Sequence, residues 1–178
     1  MSQTSLTKEH IISEAKQLFT SQGFAAVSMS MIATEVGISK AALYHFFENK
    51  AAIYITVIED VFLAIGEVFD AAQTGDHTAS FADVLEQAIH VAIAEGNVML
   101  RIDKCPLLTE KEYMNTLFAT FFQKVEQFLK EYQIPQTSLA THVLLNAIHG
   151  YVKWAHIDPD AVSVRTYSEY LATLFPHT

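Results

Sequence analysis

The chain has 178 residues, 51% of them hydrophobic and 17% charged, and carries a formal charge of −9. Half apolar, it has ample material for a core, which excludes intrinsic disorder and bounds it to one or two compact domains. The acidic balance argues at first against a polyanionic partner, because phosphate binding relies on Lys and Arg.

Gly, Pro and capping residues cut the sequence into segments of helical period, with no sustained alternation of the kind a strand shows, so the expected fold is all-α. Thr7 is the expected N-cap of a first helix over Lys8 to Gln22, with Ile11, Ala15, Leu18 and Phe19 on one face and Gly23 as its stop. Phe24 then returns to the core. Two short helices follow at Met29 to Val36 and Lys40 to Phe46, each preceded by a serine able to cap it, with Gly37, Ile38 and Ser39 between them. A long helix starts after Asn49 and Lys50 and runs to about Ala72, with Ile53, Val57, Val61, Ile65 and Val68 on neighbouring turns.

Residues 73–77 read as a loop, and Ser80 to Asp83 caps a helix that ends at Gly96. Asn97 to Cys105 is expected to form a short helix closed by Pro106, and Thr109 to Glu112 is a capping box for an aromatic-rich helix reaching about Gln133. The last two helices are expected at Ser138 to His156 and at Pro159 to Phe175, the second with Asp158 at N-cap and Pro159 at N1. That makes about nine helices. The longest uncharged stretch, 132–152, contains Gln133, Gln136, His142, Asn146 and His149 and is too polar to span a bilayer. The N-terminus lacks the apolar core of a secretory signal and Cys105 has no second thiol to pair with, so a cytoplasmic protein is expected.

Residues 29–48, MSMIATEVGISKAALYHFFE, have the side chains a helix-turn-helix needs at the spacing it needs them. Ile32, Val36, Ile38, Leu43 and Phe46 make the shared inner face, Ala33 allows close approach, and Gly37 sits where the first helix must end in a left-handed turn. Lys40, Ala41, Tyr44 and His45 then point outward from the second helix. Tyr44 and Phe46 also admit a plain core reading, and Lys40, His45 and Lys50 a merely solvated one.

This stretch and its flanks resemble the N-terminal domain of the TetR family of bacterial transcriptional repressors. The matching residues are Ile12, Ala15, Leu18, Phe19, Gly23 and Phe24, then Ser28, Ile32 and Ala33, then the run from Gly37 to Phe47 with Asn49 and Lys50. The resemblance implies a helix-turn-helix DNA-binding domain over residues 1–50 and a helical ligand-binding and dimerisation domain over residues 51–178. It implies that Ser28, Tyr44, His45 and Lys50 grip the DNA backbone, while Ser39, Lys40 and Ala41 reach base edges. It also implies a homodimer, paired through its last two helices, that leaves a palindromic double-stranded operator when a small apolar or amphipathic effector binds. Arginine is absent from the first hundred residues, so weak and strongly salt-dependent operator binding is expected.

At 100° per residue, the helix from Leu139 to His156 places His142, Asn146, His149, Lys153 and His156 on one stripe, and apolar residues over more than half of its circumference. One side is expected to meet its own core and the other a second subunit, with Val143, Ala147, Gly150, Tyr151 and Trp154 at the interface. Imidazoles seven residues apart are roughly 10.5 Å from each other, too far to share a metal, so the stripe reads as a solvated rim and no metal or cofactor is expected. His90, Met99, Arg101, Tyr113, Phe118, Phe121 and Phe122 are the candidates for lining an effector pocket. No Gly-rich phosphate loop, nucleophile elbow, HExxH or apolar carboxylate pair marks an enzyme. The remaining alternative is a helical dimeric module with little DNA affinity. Split at Lys50, the charge changes meaning: residues 1–50 hold four lysines and four glutamates, so the whole −9 belongs to the remainder.

Overall fold

The computed structural model describes residues 3–74, 79–95 and 111–175 apart from 159 and 161, the side chains of 3–7, 74, 111–115 and 117 aside. The described residues form eight α-helices: α1 (Gln3–Gln22), α2 (Met29–Val36), α3 (Lys40–Phe46), α4 (Lys50–Thr74), α5 (Phe81–Glu95), α6 (Lys111–Glu131), α7 (Thr137–Ile157) and α8 (Val164–Thr173). None of these helices is long and apolar enough to cross a membrane. The expected short helix at 97–105 lies outside the described residues, as do Thr109 and the side chain of Glu112 of the expected capping box.

The chain splits into two compact units, one drawn from Met1–Asp60 and Asn97–Lys111 and the other from Val61–Gly96 and Glu112–Thr178. In the first, Ile11, Ala15 and Phe19 of α1, Ile32 of α2, Leu43 of α3 and Ile53, Tyr54 and Val57 of α4 are all buried. Their spacing is that of one apolar stripe per helix, which is why four helices close around one core. Thr7 is not the cap expected of it. With no Gly or Pro to interrupt residues 3–8, α1 begins at Gln3 and takes Thr7 inside.

The second unit is built on aromatic contacts. Phe81 lies 5.5 Å from Phe128, 5.0 Å from Tyr132 and 6.0 Å from Phe175, and Phe128 continues to Phe69 at 5.1 Å, so one cluster joins α4, α5, α6 and the end of α8. Stacked and tilted rings at this separation add to the burial of area itself. Gly66 of α4 admits Lys124 of α6, whose Cδ would stand 3.1 Å from a Cβ there and whose ammonium pairs with Asp70.

Two caps in this unit are informative. The expected start of the last helix at Asp158 and Pro159 is wrong. Asp158 ends α7, its N–H donating to the Trp154 carbonyl, and α8 begins five residues later with Ser163, whose hydroxyl accepts from the Thr166 N–H at 3.1 Å. A serine with extended backbone and a free N-terminal turn to cap outcompetes the proline signal. The box at Ser80 is as expected: the Asp83 N–H donates to Ser80 Oγ, while Asp83 Oδ2 accepts from the Ser80 N–H and hydroxyl. Arg165 of α8 then donates to the other Asp83 oxygen at 2.5 Å and to Glu86 at 2.9 Å.

The Ser80 hydroxyl, and after it Arg165, hold the Asp83 carboxyl down at about 2. A carboxyl depressed in the folded state adds stability above its unfolded value, about 3.9, and loses it as pH falls through the folded value. Thermal stability is therefore expected to fall between about pH 4 and pH 2, and Asp83→Asn to flatten that step in a melting series. An unaltered pH profile in Asp83→Asn would assign the loss to other carboxylates.

Candidate nucleic-acid interface

Helix α2 is fixed at both ends by its own sequence. Ser28 has extended backbone and accepts from the Met31 N–H at 3.2 Å, while Gly37 closes the helix at φ 75°. The Ile38 N–H reaches the Ala33 carbonyl at 2.9 Å and the Gly37 N–H reaches Thr34 at 3.2 Å, a left-handed cap that only glycine enters without steric cost. Ser39 then caps α3, accepting from the Ala42 N–H at 3.0 Å. Three residues thus turn the chain from one helix into the other, the length of a helix-turn-helix connection.

The inner face is Ile32, Ala33, Val36 and Leu43, all buried, with Ile38 half-buried. Phe46 was the expected fifth member, but it is only half-buried and Phe47 takes the place at 5% exposure. Phe47 is the C-cap, with extended backbone at φ −140°, so α3 has ended and the ring turns back under the helix. Lys8 of α1 covers that ring, 5.5 Å from its centre.

Of the residues expected at DNA, Ser28, Ser39, Lys40, Ala41, Tyr44 and His45 are all exposed. Both serine oxygens accept cap bonds, which leaves each hydroxyl proton as a donor. Lys40 and Tyr44 are one turn apart, and the ammonium sits 6.0 Å from the ring centre. The aromatic face therefore guides the lysine along the outer side of α3.

Lys50 behaves differently. Its ammonium donates to the carbonyls of Phe24 at 2.6 Å and Val27 at 2.7 Å, and it stands 4.2 Å above the Phe24 ring. These internal bonds tie the loop before α2 to the start of α4. Phe24 in turn packs 6.0 Å from Phe19 and 4.9 Å from Tyr54. The phosphate role expected of Lys50 comes from its place in the family motif; the Phe24 ring beneath the ammonium is what holds it inward here.

The described candidates for the effector pocket do not converge. His90 is on the exposed side of α5 with 61% of its side chain open and Glu86 at 3.9 Å, because Leu85, Ala88, Ile89 and Ala92 take the inward stripe. Phe118 and Phe121 pack on Phe62 at 5.1 and 4.9 Å, and Phe122 meets His142 at 4.8 Å. Met99, Arg101 and the side chain of Tyr113 lie outside the described residues.

At the expected dimer face, Val143 and Trp154 are exposed at 48% and 65%, and nothing stands within 4 Å of a Cβ placed on Gly150. Ala147 is half-buried. Tyr151 is turned instead into its own chain, stacked 4.3 Å from Tyr167 with its hydroxyl on the Val162 carbonyl, and Tyr167 donates to Ala147. These two rings zip α7 to α8 and floor an apolar groove of about 400 Å³ walled by Gly150, Trp154 and Val162. The imidazoles of His142, His149 and His156 edge this face, all exposed.

Residues 11–57 match the family described as bacterial regulatory proteins, tetR family. The chain is 24% identical over 160 residues to the HTH-type transcriptional regulator AcrR of Shigella flexneri, covering 82% of this chain and 74% of that one. Among solved structures, NalD, the secondary repressor of the MexAB-OprM multidrug efflux pump in Pseudomonas aeruginosa, is similar with a TM-score of 0.68 at 21% identity, over 96% of this chain and 94% of that one. A SmeT–triclosan complex is similar with a TM-score of 0.70 at 18% identity, over 95% and 89% of the two chains.

Proposed function

We propose, from the match of residues 11–57 to the tetR family of bacterial regulatory proteins, that this chain is a homodimeric, effector-responsive DNA-binding repressor of transcription. The observation that carries the reading is the capped turn Gly37–Ser39, which leaves Lys40, Ala41, Tyr44 and His45 on the open side of α3 while Leu43 anchors it from behind. Lys40 is placed to donate to guanine edges and Ala41 to touch a thymine methyl, with Ser28, Tyr44 and His45 on phosphates. The DNA-binding assignment covers residues 1–50, and residues 51–178 take the regulatory and dimerisation roles.

The outer sides of α7 and α8 support the dimer by what they expose. Leu139, Val143, Trp154 and Ile157 lie along one side of α7, and Tyr170 and Leu174 along α8, each between 48% and 65% exposed. Monomeric proteins rarely leave so many large apolar groups contiguous. A second copy is the occupant that matches a stripe running the length of α7. Two recognition helices about 34 Å apart then read a palindrome, and an effector preferring a conformation with another spacing releases it by differential affinity. The aromatic content of α6 supports an apolar or amphipathic effector, as does the triclosan bound by the similar SmeT.

Tyr44→Ala is expected to weaken binding to every duplex by about tenfold, while Lys40→Ala changes which sequence is preferred, each good base contact contributing roughly 1–3 kcal/mol of discrimination. Selection from random-sequence DNA followed by anisotropy titration at fixed salt separates the two. No enrichment of any duplex would leave the helical module without DNA affinity as the better description.

A further inference from the structure

The sequence of α7 contains no Asp or Glu, whereas α4, α5, α6 and α8 all contain carboxylates. Residues 51–178 carry the whole −9, so two copies of this part of the chain repel each other wherever acidic faces meet. On α7 that repulsion has no source. A basic partner is drawn to the acidic helices, but a second copy, equally acidic, meets least opposition here.

The exposed apolar groups of α7 are also ordered. Counted from Gly150, Val143 and Ile157 stand seven residues before and seven after, and Leu139 and Val162 stand eleven before and twelve after, all four exposed. Ala147 and Trp154, three before and four after, set a small side chain against the largest one. At 100° per residue, Leu139, Val143, Gly150, Trp154 and Ile157 fall within about 60° of one another. At the pivot, a Cβ added to Gly150 meets nothing within 4 Å. A stripe that reads alike in both directions is complementary to its own antiparallel copy, as an isologous two-fold contact demands, residue i meeting j and j meeting i.

We infer that two copies pair through antiparallel α7 helices with the two-fold axis at Gly150, each Trp154 seated on Ala147 of the other copy at the mouth of its groove. The inference rests on the dimer reading above and fixes its register. Ala147, Gly150 and Tyr151 line that groove together with Tyr167 and Val162, so an indole arriving over Ala147 enters it. Contact from Leu139 to Ile157 spans about 27 Å, and a stripe so straight needs a shallow crossing, of about 20°. The exposed imidazoles of His142, His149 and His156 and the ammonium of Lys153 lie about 90° round the helix from the stripe. Pairing therefore leaves them hydrated at the rim, where interfaces keep their polar groups.

The register is tested with cysteine variants of the full chain, oxidised with diamide at a concentration where sedimentation shows the dimer, and read as the mass of the disulfide-linked peptide. A disulfide needs Cα atoms about 4.4–6.8 Å apart. Gly150→Cys is expected to link to its own counterpart in most of the protein. Val143→Cys and Ile157→Cys, each about 21 Å along the helix from its counterpart, are expected not to link alone and to link to each other when the two variants are mixed. A Gly150→Cys protein that sediments as a dimer without forming the 150 to 150 disulfide overturns the inference and leaves the dimer reading intact, as does a 143 to 143 link. A native chain that sediments as a monomer overturns both. If Gly150→Cys does not fold, the mixed 143 to 157 link decides.

Discussion

Replacing Trp154 by aspartate is expected to raise the dimer dissociation constant by at least about 30-fold, the effect of losing an interface anchor worth about 2 kcal/mol or more. Trp154 is 65% exposed and stands beside the groove floored by Tyr151 and Tyr167. Tryptophan is the residue type most enriched among such anchors, since it covers a large area with only two side-chain torsions to immobilise. On a two-fold interface each change occurs twice, so two new carboxylates enter the same apolar zone and must either stay hydrated or lose charge. Operator affinity should fall with the dimer, because a palindrome is read by two linked recognition helices. Sedimentation equilibrium of native and Trp154→Asp proteins measures the shift. An unchanged dissociation constant with native helicity would place the dimer contact elsewhere, and the exposed stripe of α7 would lose its assigned occupant.

The second large effect is expected at Leu43. It is fully buried in a helix of seven residues, far below the length at which a helix persists alone in water, so α3 owes its existence to what that side chain touches. Leu43→Ala should cost about 3 kcal/mol, within the 2–5 kcal/mol usual for emptying a core leucine site. Set against a typical total of 5–15 kcal/mol, that is between about a fifth and about three-fifths of the stability of an ordinary domain. Chemical denaturation reads the loss directly. Duplex binding should decline in parallel with stability and recover at low temperature, which distinguishes a displaced α3 from a lost contact. A cost under about 1 kcal/mol would mean that the inner face is held by the Ile32 and Phe47 packing without Leu43.

Much of this architecture can be read from the residues because the signals are local. Ser28, Gly37 and Ser39 each fix a helix end by a bond to a backbone group three to five residues away, and the bounds of α2 and α3 follow. The apolar stripe of α4 is equally plain, since all of its expected inner residues are buried. What the sequence hides is direction. Phe46 and Phe47 are neighbours of the same type, and only the backbone turn at the C-cap decides which ring goes inward. Tyr151 lies on the expected interface by helical angle, yet its partner Tyr167 is sixteen residues away on another helix and takes it inward. Helix α8 starts later than Pro159 suggests, because Pro159 and Ser163 are both valid openings and the loop between α7 and α8, fastened by Tyr151 to the Val162 carbonyl, selects the later one. Lys50 is the sharpest case, since an ammonium written next to a recognition motif says nothing of whether it points to solvent or to two carbonyls.

That choice of carbonyls has an evolutionary side. A grip on main-chain oxygens is indifferent to which side chains the gripped residues carry, apart from the Phe24 ring beneath the ammonium. Ala25 and Ala26, both exposed, stand between the two carbonyls that Lys50 holds. Those positions can drift through many amino acids while the loop keeps its shape, and a lysine or arginine arising there would add a surface cation in one mutational step. The segment is a place where a chain of this build can acquire new affinity without rebuilding its fold.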